Sequence, residues 1–370
     1  MSHRILAVVG AVALATAALS LTTVRVDGQA AAIKPAPAAG RAVPRMPDGH
    51  PDLQGIYDLA TLTPVERPNG LPAVLTDEEA AKLEKQAANR RELLARPSKA
   101  DRDAPPVGGD GSVGAAGNVG GYNNFWIDAG SSYMQIDGQK RTSIVIDPAD
   151  GRVPSTTAAA RQRMLALRNA RPTSDAAENG NDPGFEGAGA YDDPERRPLG
   201  ERCLLGFGST SGPPILPNYF YNNLHQIVQT PDSVMILTEM VHDARIVRMN
   251  SQHLPGTIRK WLGDSVGHWD GDTLVIDTTN FTDKTRFRGS TADLHVVERI
   301  SRIDARTLRY RFTIEDPNTW EKPWTGEYTW PATDDHLYEY ACHEGNYALG
   351  NILKGARLKE ATDAAKKSRQ

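Results

Sequence analysis

Cysteine is scarce: Cys203 and Cys342 are the only two in 370 residues. There is no C-x-x-C, which excludes a thiol–disulfide redox motif and a cysteine-rich zinc knuckle, and two cysteines are too few for a disulfide-built mini-protein. Positive charge is also short, with 42 Lys and Arg against 46 Asp and Glu, a net charge of −4. No global basic field exists to hold a polyanion, so nucleic acid is not an expected partner. The composition excludes collagen, a coiled coil and a polytopic membrane protein. The chain also lacks G-x-S-x-G, H-E-x-x-H, His-x-His and an acidic calcium loop. A nucleophile elbow and the familiar contiguous metal motifs are therefore absent.

What is present comes in three blocks. The first thirty residues read as an export signal: Arg4 leads an apolar run from Ile5 to Leu21, followed by small residues around Gly28-Gln29-Ala30. The competing reading is an uncleaved anchor, since about 17 residues is the lower limit for spanning a bilayer. With cleavage, the mature chain is periplasmic or secreted and has no stable membrane insertion. In that oxidising setting Cys203 and Cys342 are either a disulfide, closing a loop of about 139 residues, or two separate buried thiols.

Residues 31–55 are rich in Pro and Ala and read as a linker. Residues 56–220 form a helix-and-loop wrapping region. Thr76-Asp77-Glu78-Glu79 is a capping-box start to a helix ending near Leu94, and its charged faces predict light packing. Residues 104–121 hold seven glycines but no G-K-[ST], which predicts a loop rather than a phosphate cradle. A strand is expected over 141–146, a helix from about Thr156 to Asn169, and a long aperiodic segment over 171–220.

From 221 to 345 short β-rich runs recur: 225–230, 234–241, 244–249, 273–279, 295–303, 307–314, 325–330 and 337–342. Leu308, Tyr310, Phe312 and Ile314 alternate with Arg309, Arg311 and Thr313, the pattern of a half-buried strand. The rhythm predicts a mainly β fold, an antiparallel barrel-like or lipocalin-like meander, wrapped by the N-terminal helices and loops. Residues 346–370 read as a C-terminal helix and tail.

Candidate chemistry lies on the β block. His225, His242, His268, His295 and His343 occur there at spaced positions, accompanied by Glu239, Glu298, Glu327, Glu339 and Glu344. Charged residues on the buried side of a strand need partners, and in a barrel they commonly line a ligand cavity. On a strand over 337–342, Glu339 shares parity with His343, and a carboxylate beside an imidazole can exchange protons near neutral pH. A divalent metal held by His242, His295 and His343 is the competing use of the same residues; otherwise no cofactor is expected. Five tryptophans, Trp261, Trp269, Trp320, Trp324 and Trp330, lie within seventy residues and are either core packing or a platform for a sugar or flat ring.

The segments RTSIVIDPADGRVP, HQIVQTPDSVMILTEMVHDARIV, GHWDGDTLVIDTTNFTDKTRFRG, LHVVERISRID and YEYACHEGNYALGNIL carry a resemblance. In that order they are similar to a widespread family of exported bacterial proteins of unknown function, generally labelled hypothetical, over roughly residues 50–357. The resemblance implies one elaborated unit across that range and a shared design that includes both cysteines. It carries no activity to transfer, and the Gly-rich stretch 104–121 is not part of the family pattern.

The functional expectation is an exported enzyme that performs acid–base hydrolysis or elimination on a small organic or carbohydrate-derived molecule. His343 and Glu339 would exchange protons, with His242 and His295 completing the catalytic set. His225, Arg245, Glu298, Arg299, Tyr221 and Asn222 would bind the substrate, the arginines neutralising an anion. The alternative is a non-catalytic ligand-binding barrel of the cell envelope.

Overall fold

The computed structural model describes residues 43–95, 127–169, 191–206, 212–217, 221–285 and 287–368. The export signal and the Gly-rich loop 104–121 lie outside the described residues, as does most of 171–220.

Thirteen strands and three helices make up the described fold. The strands are β1 (Gly55–Asp58), β2 (Val74–Leu75), β3 (Gln135–Ile136), β4 (Gln139–Arg141), β5 (Val145–Asp147), β6 (Leu224–Gln229) and β7 (Ser233–Thr238). They continue with β8 (Ala244–Met249), β9 (Asp264–Asp270), β10 (Thr273–Thr279), β11 (His295–Arg302), β12 (Thr307–Glu315) and β13 (Trp324–Pro331). The helices are α1 (Asp77–Leu94), α2 (Ala158–Asn169) and α3 (Tyr347–Lys367).

Ten strands form one sheet in the order β1-β6-β7-β8-β9-β10-β11-β12-β13-β5, and β2-β4-β3 form a second. The large sheet curls into a half-barrel: Tyr57 of β1 bridges to Ala332, just past β13, and Thr333 N–H donates to the Ile56 carbonyl at 2.9 Å. The register shifts between Thr325 and Gly326 where β13 meets β5, and such irregularities bend a sheet. The Phe312 ring lies over Gly326, where an added Cβ would come within 2.2 Å of it.

The predicted mainly β, barrel-like fold is the observed one, with differences in the strands. Strand β9 was not expected, the run 141–146 is split between the end of β4 and the start of β5, and two further differences bear on the site. First, the meander is not wholly antiparallel, because β8 and β9 pair in parallel, Val247 opposite Ser265 and Met249 opposite Gly267. Residues 250–263 supply the long crossover that parallel neighbours require. Second, 337–342 is not a strand. It runs across the outside and is held by point contacts, including Tyr338 N–H to Glu239 Oε1 at 3.0 Å.

Alternation builds the concave core. Strand β12 buries Leu308, Tyr310, Phe312 and Ile314, and β13 buries Trp324, Tyr328 and Trp330. The rings interlock, Tyr310 stacking on Trp330 at 4.6 Å and Phe312 meeting Trp324 edge-on at 5.7 Å. The α1 capping box is formed as expected, and Ala80 is the one buried residue of that helix. The segment read as a linker is docked over its last part. Arg45 pairs with Asp272, His50 stacks on Trp269 at 4.6 Å, and Leu53 is fully buried. Cys203 and Cys342 form a disulfide, Cα to Cα 5.8 Å, which settles the choice between bridge and thiols.

Candidate functional site: a polar centre inside the half-barrel

Three strands place charged or titratable side chains at buried parity. On β8, Arg245 takes the same side as Val247 and Met249. On β11, Glu298 takes the side of Val296 and Ile300. On β6, His225 takes the side of Ile227. Arg245 and Glu298 belong to strands two places apart from adjacency, so their contact crosses the concave interior.

The guanidinium grips the carboxylate with both terminal nitrogens, Nη2 to Oε1 at 2.8 Å and Nη1 to Oε2. Tyr310 Oη donates to the same Oε1 at 2.7 Å, and Ile215 N–H donates to Tyr310 Oη at 2.9 Å. Tyr328 Oη donates to the Ile215 carbonyl at 3.0 Å, so the short segment 212–217 is stitched onto the polar centre from above. Behind it, Ser265 and Thr278 share a hydroxyl–hydroxyl bond of 2.8 Å. Burial alone would lower the Arg245 pKa, but the charge and hydrogen bonds of Glu298 overcome it and raise the value. The Tyr310 hydroxyl is pushed well above its ordinary range, first by burial and then by Glu298.

His225 is fixed differently. Its Nδ1 lies 3.1 Å from the Asn223 carbonyl, so Nδ1 carries the proton and donates, leaving Nε2 as an acceptor. Burial lowers its pKa to about 4, and the Arg245 charge adds to the effect. The ring is therefore neutral near pH 7. It lies 5.9 Å from the Trp330 ring. Three buried nitrogens in this centre have no hydrogen-bond partner: Arg245 Nε, His225 Nε2 and Trp330 Nε1. Each unpaired buried polar atom costs on the order of 1–3 kcal/mol.

Of the residues singled out from sequence, the structure thus brings together His225, Arg245 and Glu298. The others disperse. Glu339 and His343 are both exposed on the non-strand segment, so the parity that would have paired them does not exist. His242 is exposed on the turn after β7, its Nδ1 3.3 Å from the Tyr340 carbonyl. Tyr221 stacks against Tyr340 at 6.5 Å near that turn, and Asn222 occupies a positive-φ position beside it. Arg299 is on the outer face, paired with Asp270, and His268 is exposed.

His295 also faces outward, in a cluster that sequence reading missed. Its Nε2 contacts Asp277 Oδ2 at 2.9 Å, while His253 Nε2 contacts Oδ1 of the same carboxylate at 2.9 Å. The Asp277 hydrogen bond raises the His295 pKa. His242, His295 and His343 lie apart, and among the described residues no group of three or more His, Cys, Asp or Glu is placed to hold a metal ion. Tyr310 reads as core from alternation and Trp330 as either core packing or a ring platform, and both are core. The signal that they also belong to a polar centre was the charged residue at buried parity on β8 and on β11.

The architecture defines a curled mixed β half-barrel with a hydrogen-bonded ionic centre. Compared with family models, curated proteins and solved structures, the chain matches none of them. Among the described residues no helix is long and apolar enough to cross a membrane.

Proposed function

We propose that the protein is an exported, periplasmic or secreted binder of a small uncharged polar molecule, held in the interior of the half-barrel. The observation that carries this reading is the trio of unpartnered nitrogens. Arg245 Nε and Trp330 Nε1 can only donate, and neutral His225 Nε2 can only accept. The matching ligand carries a carbonyl or ether oxygen beside a hydroxyl or N–H. A net anion is disfavoured because Glu298 already neutralises Arg245. The bridge from Cys203 to Cys342 supports residence in an oxidising compartment.

The test is two-dimensional ¹H–¹⁵N NMR of the indole resonances while δ-gluconolactone or lactamide is titrated in. The Trp330 indole, assigned by its loss in Trp330→Phe, should shift with saturation, and His225→Gln should weaken the response about tenfold. An unmoved Trp330 resonance with every such compound would overturn the reading.

Acid–base hydrolysis or elimination is the second reading, favoured by Asp58. Burial pushes its carboxyl up to about 6, with Asp128, Asp335 and Glu239 adding to the shift. Asp58 directly follows Tyr57 and pairs with Leu224, so its side chain takes the face of the sheet opposite to Tyr57 and His225, and on this reading the chemistry sits outside the barrel interior. Turnover of a bound compound, lost in Asp58→Asn with binding retained, would distinguish this reading from simple carriage.

A further inference from the structure

The five clustered tryptophans do not share one fate. Trp320, Trp324 and Trp330 are buried in the core, and Trp269 is covered by the His50 ring. Trp261 alone of the five is left with a half-exposed indole and no ring partner among the described residues. It lines a surface cleft of about 460 Å³ together with Arg259, Thr282, Asp283, Lys284 and Ala292. That volume lies in the range of small-molecule sites, roughly 300–1,000 Å³.

The cleft wall is held in place. Thr285 Oγ1 donates to the Trp261 carbonyl at 2.7 Å. Arg259 Nη1 donates to two main-chain carbonyls, Phe281 at 3.1 Å and Ala292 at 2.7 Å. These bonds fix the plane of the guanidinium and leave its Nε and Nη2 edge for another partner. Lys284 is exposed and has no ion pair or side-chain hydrogen bond among the described residues. Of the neighbouring charges, Asp283 is already engaged, and Lys260 is tied to Asp264 at 3.0 Å. Two cations without a carboxylate of their own therefore line the same cleft as the indole.

We propose that this cleft binds a six-membered ring bearing a carboxylate, a sugar acid or an aryl acid, at a site separate from the barrel interior. The ring would lie on Trp261, and the carboxylate would bridge Lys284 Nζ and the open edge of Arg259. An indole offers a large flat apolar face to either kind of ring, and a fixed guanidinium edge matches the two oxygens of a carboxylate.

The test is calorimetric titration of the full chain with sodium D-glucuronate and with sodium benzoate, using D-glucose and benzyl alcohol as uncharged counterparts. At least one carboxylated ring should bind about tenfold or more tightly than its counterpart. Preference for glucuronate names a sugar acid, and preference for benzoate an aryl acid. Lys284→Gln changes an exposed side chain without partners, so it leaves the fold intact and should weaken binding about five- to tenfold, as should raising the salt. Equal binding of charged and uncharged rings would overturn the proposal, as would unchanged affinity in Lys284→Gln.

Discussion

Replacing Glu298 by Gln is the most direct probe of the polar centre. The side chain is fully buried and accepts two hydrogen bonds from Arg245 and one from Tyr310. Gln conserves the volume, so no cavity opens, but the charge that compensates Arg245 is removed. Arg245 has 3% of its side chain exposed and cannot reach water for replacement solvation. Stranding one member of a buried pair costs about 3–5 kcal/mol, and that range is expected for Glu298→Gln. Removing both charges is a different perturbation. The double variant Arg245→Met, Glu298→Leu replaces the pair by apolar side chains and should recover most of the loss, less about 1 kcal/mol for the Tyr310 hydroxyl left without its acceptor. The coupling, read from the cycle of Arg245→Met, Glu298→Leu and the double variant, should therefore be at least about 2 kcal/mol. Guanidinium unfolding followed by tryptophan fluorescence reads this directly, because Trp324 and Trp330 pass from a dry core to water. A loss below about 1 kcal/mol for Glu298→Gln, or additive single variants, would refute the account of Arg245 as a buried cation dependent on Glu298.

Two further outcomes follow from the same framework. His225 has its pKa lowered from 6.5 to about 4 by burial, so above pH 6.5 it is neutral in both the folded and unfolded chain. As the pH falls from 6.5 towards 4 only the unfolded chain takes up the proton. Stability should then decline by about 3 kcal/mol, a slope that His225→Gln should flatten in acid-titrated denaturant melts. The disulfide closes 139 residues, and the double variant Cys203→Ser, Cys342→Ser should lose up to about 5 kcal/mol in the chain-entropy account. Equal denaturation midpoints for oxidised and reduced protein would contradict that.

Local chemistry was the legible part of the sequence. Thr76 and Glu79 announce the start of α1, and the alternation in β12 gives both its limits and its buried face. Strands β6, β8, β10 and β11 are legible as short β-rich runs. Strand β9 was missed because Gly267, His268 and Asp270 interrupt its apolar pattern. The glycine is required there by neighbours, since a Cβ would come within 2.8 Å of Val247 and 2.9 Å of Met249. That requirement belongs to the parallel pairing of β8 with β9, which no local pattern encodes. The opposite error occurred at 337–342. Its alternation suits a strand, but β13 already pairs with β12 and β5, and β1 pairs with β6, so the segment crosses the outer surface instead. Glu339 and His343 lost their common face with it. Arg245 and Glu298 were both named from the sequence as substrate-binding residues, and the structure pairs them with each other instead. Their pairing across two intervening strands depends on the curl of the sheet, which periodicity does not report.

The disulfide has a topological consequence. Cys203 and Cys342 enclose β6 through β13, so eight consecutive strands of the large sheet form one covalent ring. Its two outermost strands, β1 and β5, come from chain that lies before the ring. A protease cut anywhere inside the ring therefore releases no fragment until the bridge is reduced. A cut between β5 and Cys203 does the reverse: it separates the protein into a cyclised inner sheet and a linear N-terminal piece holding both borders. The two pieces would then associate through β1 against β6 and β5 against β13, as a sheet whose margins are supplied by a second polypeptide.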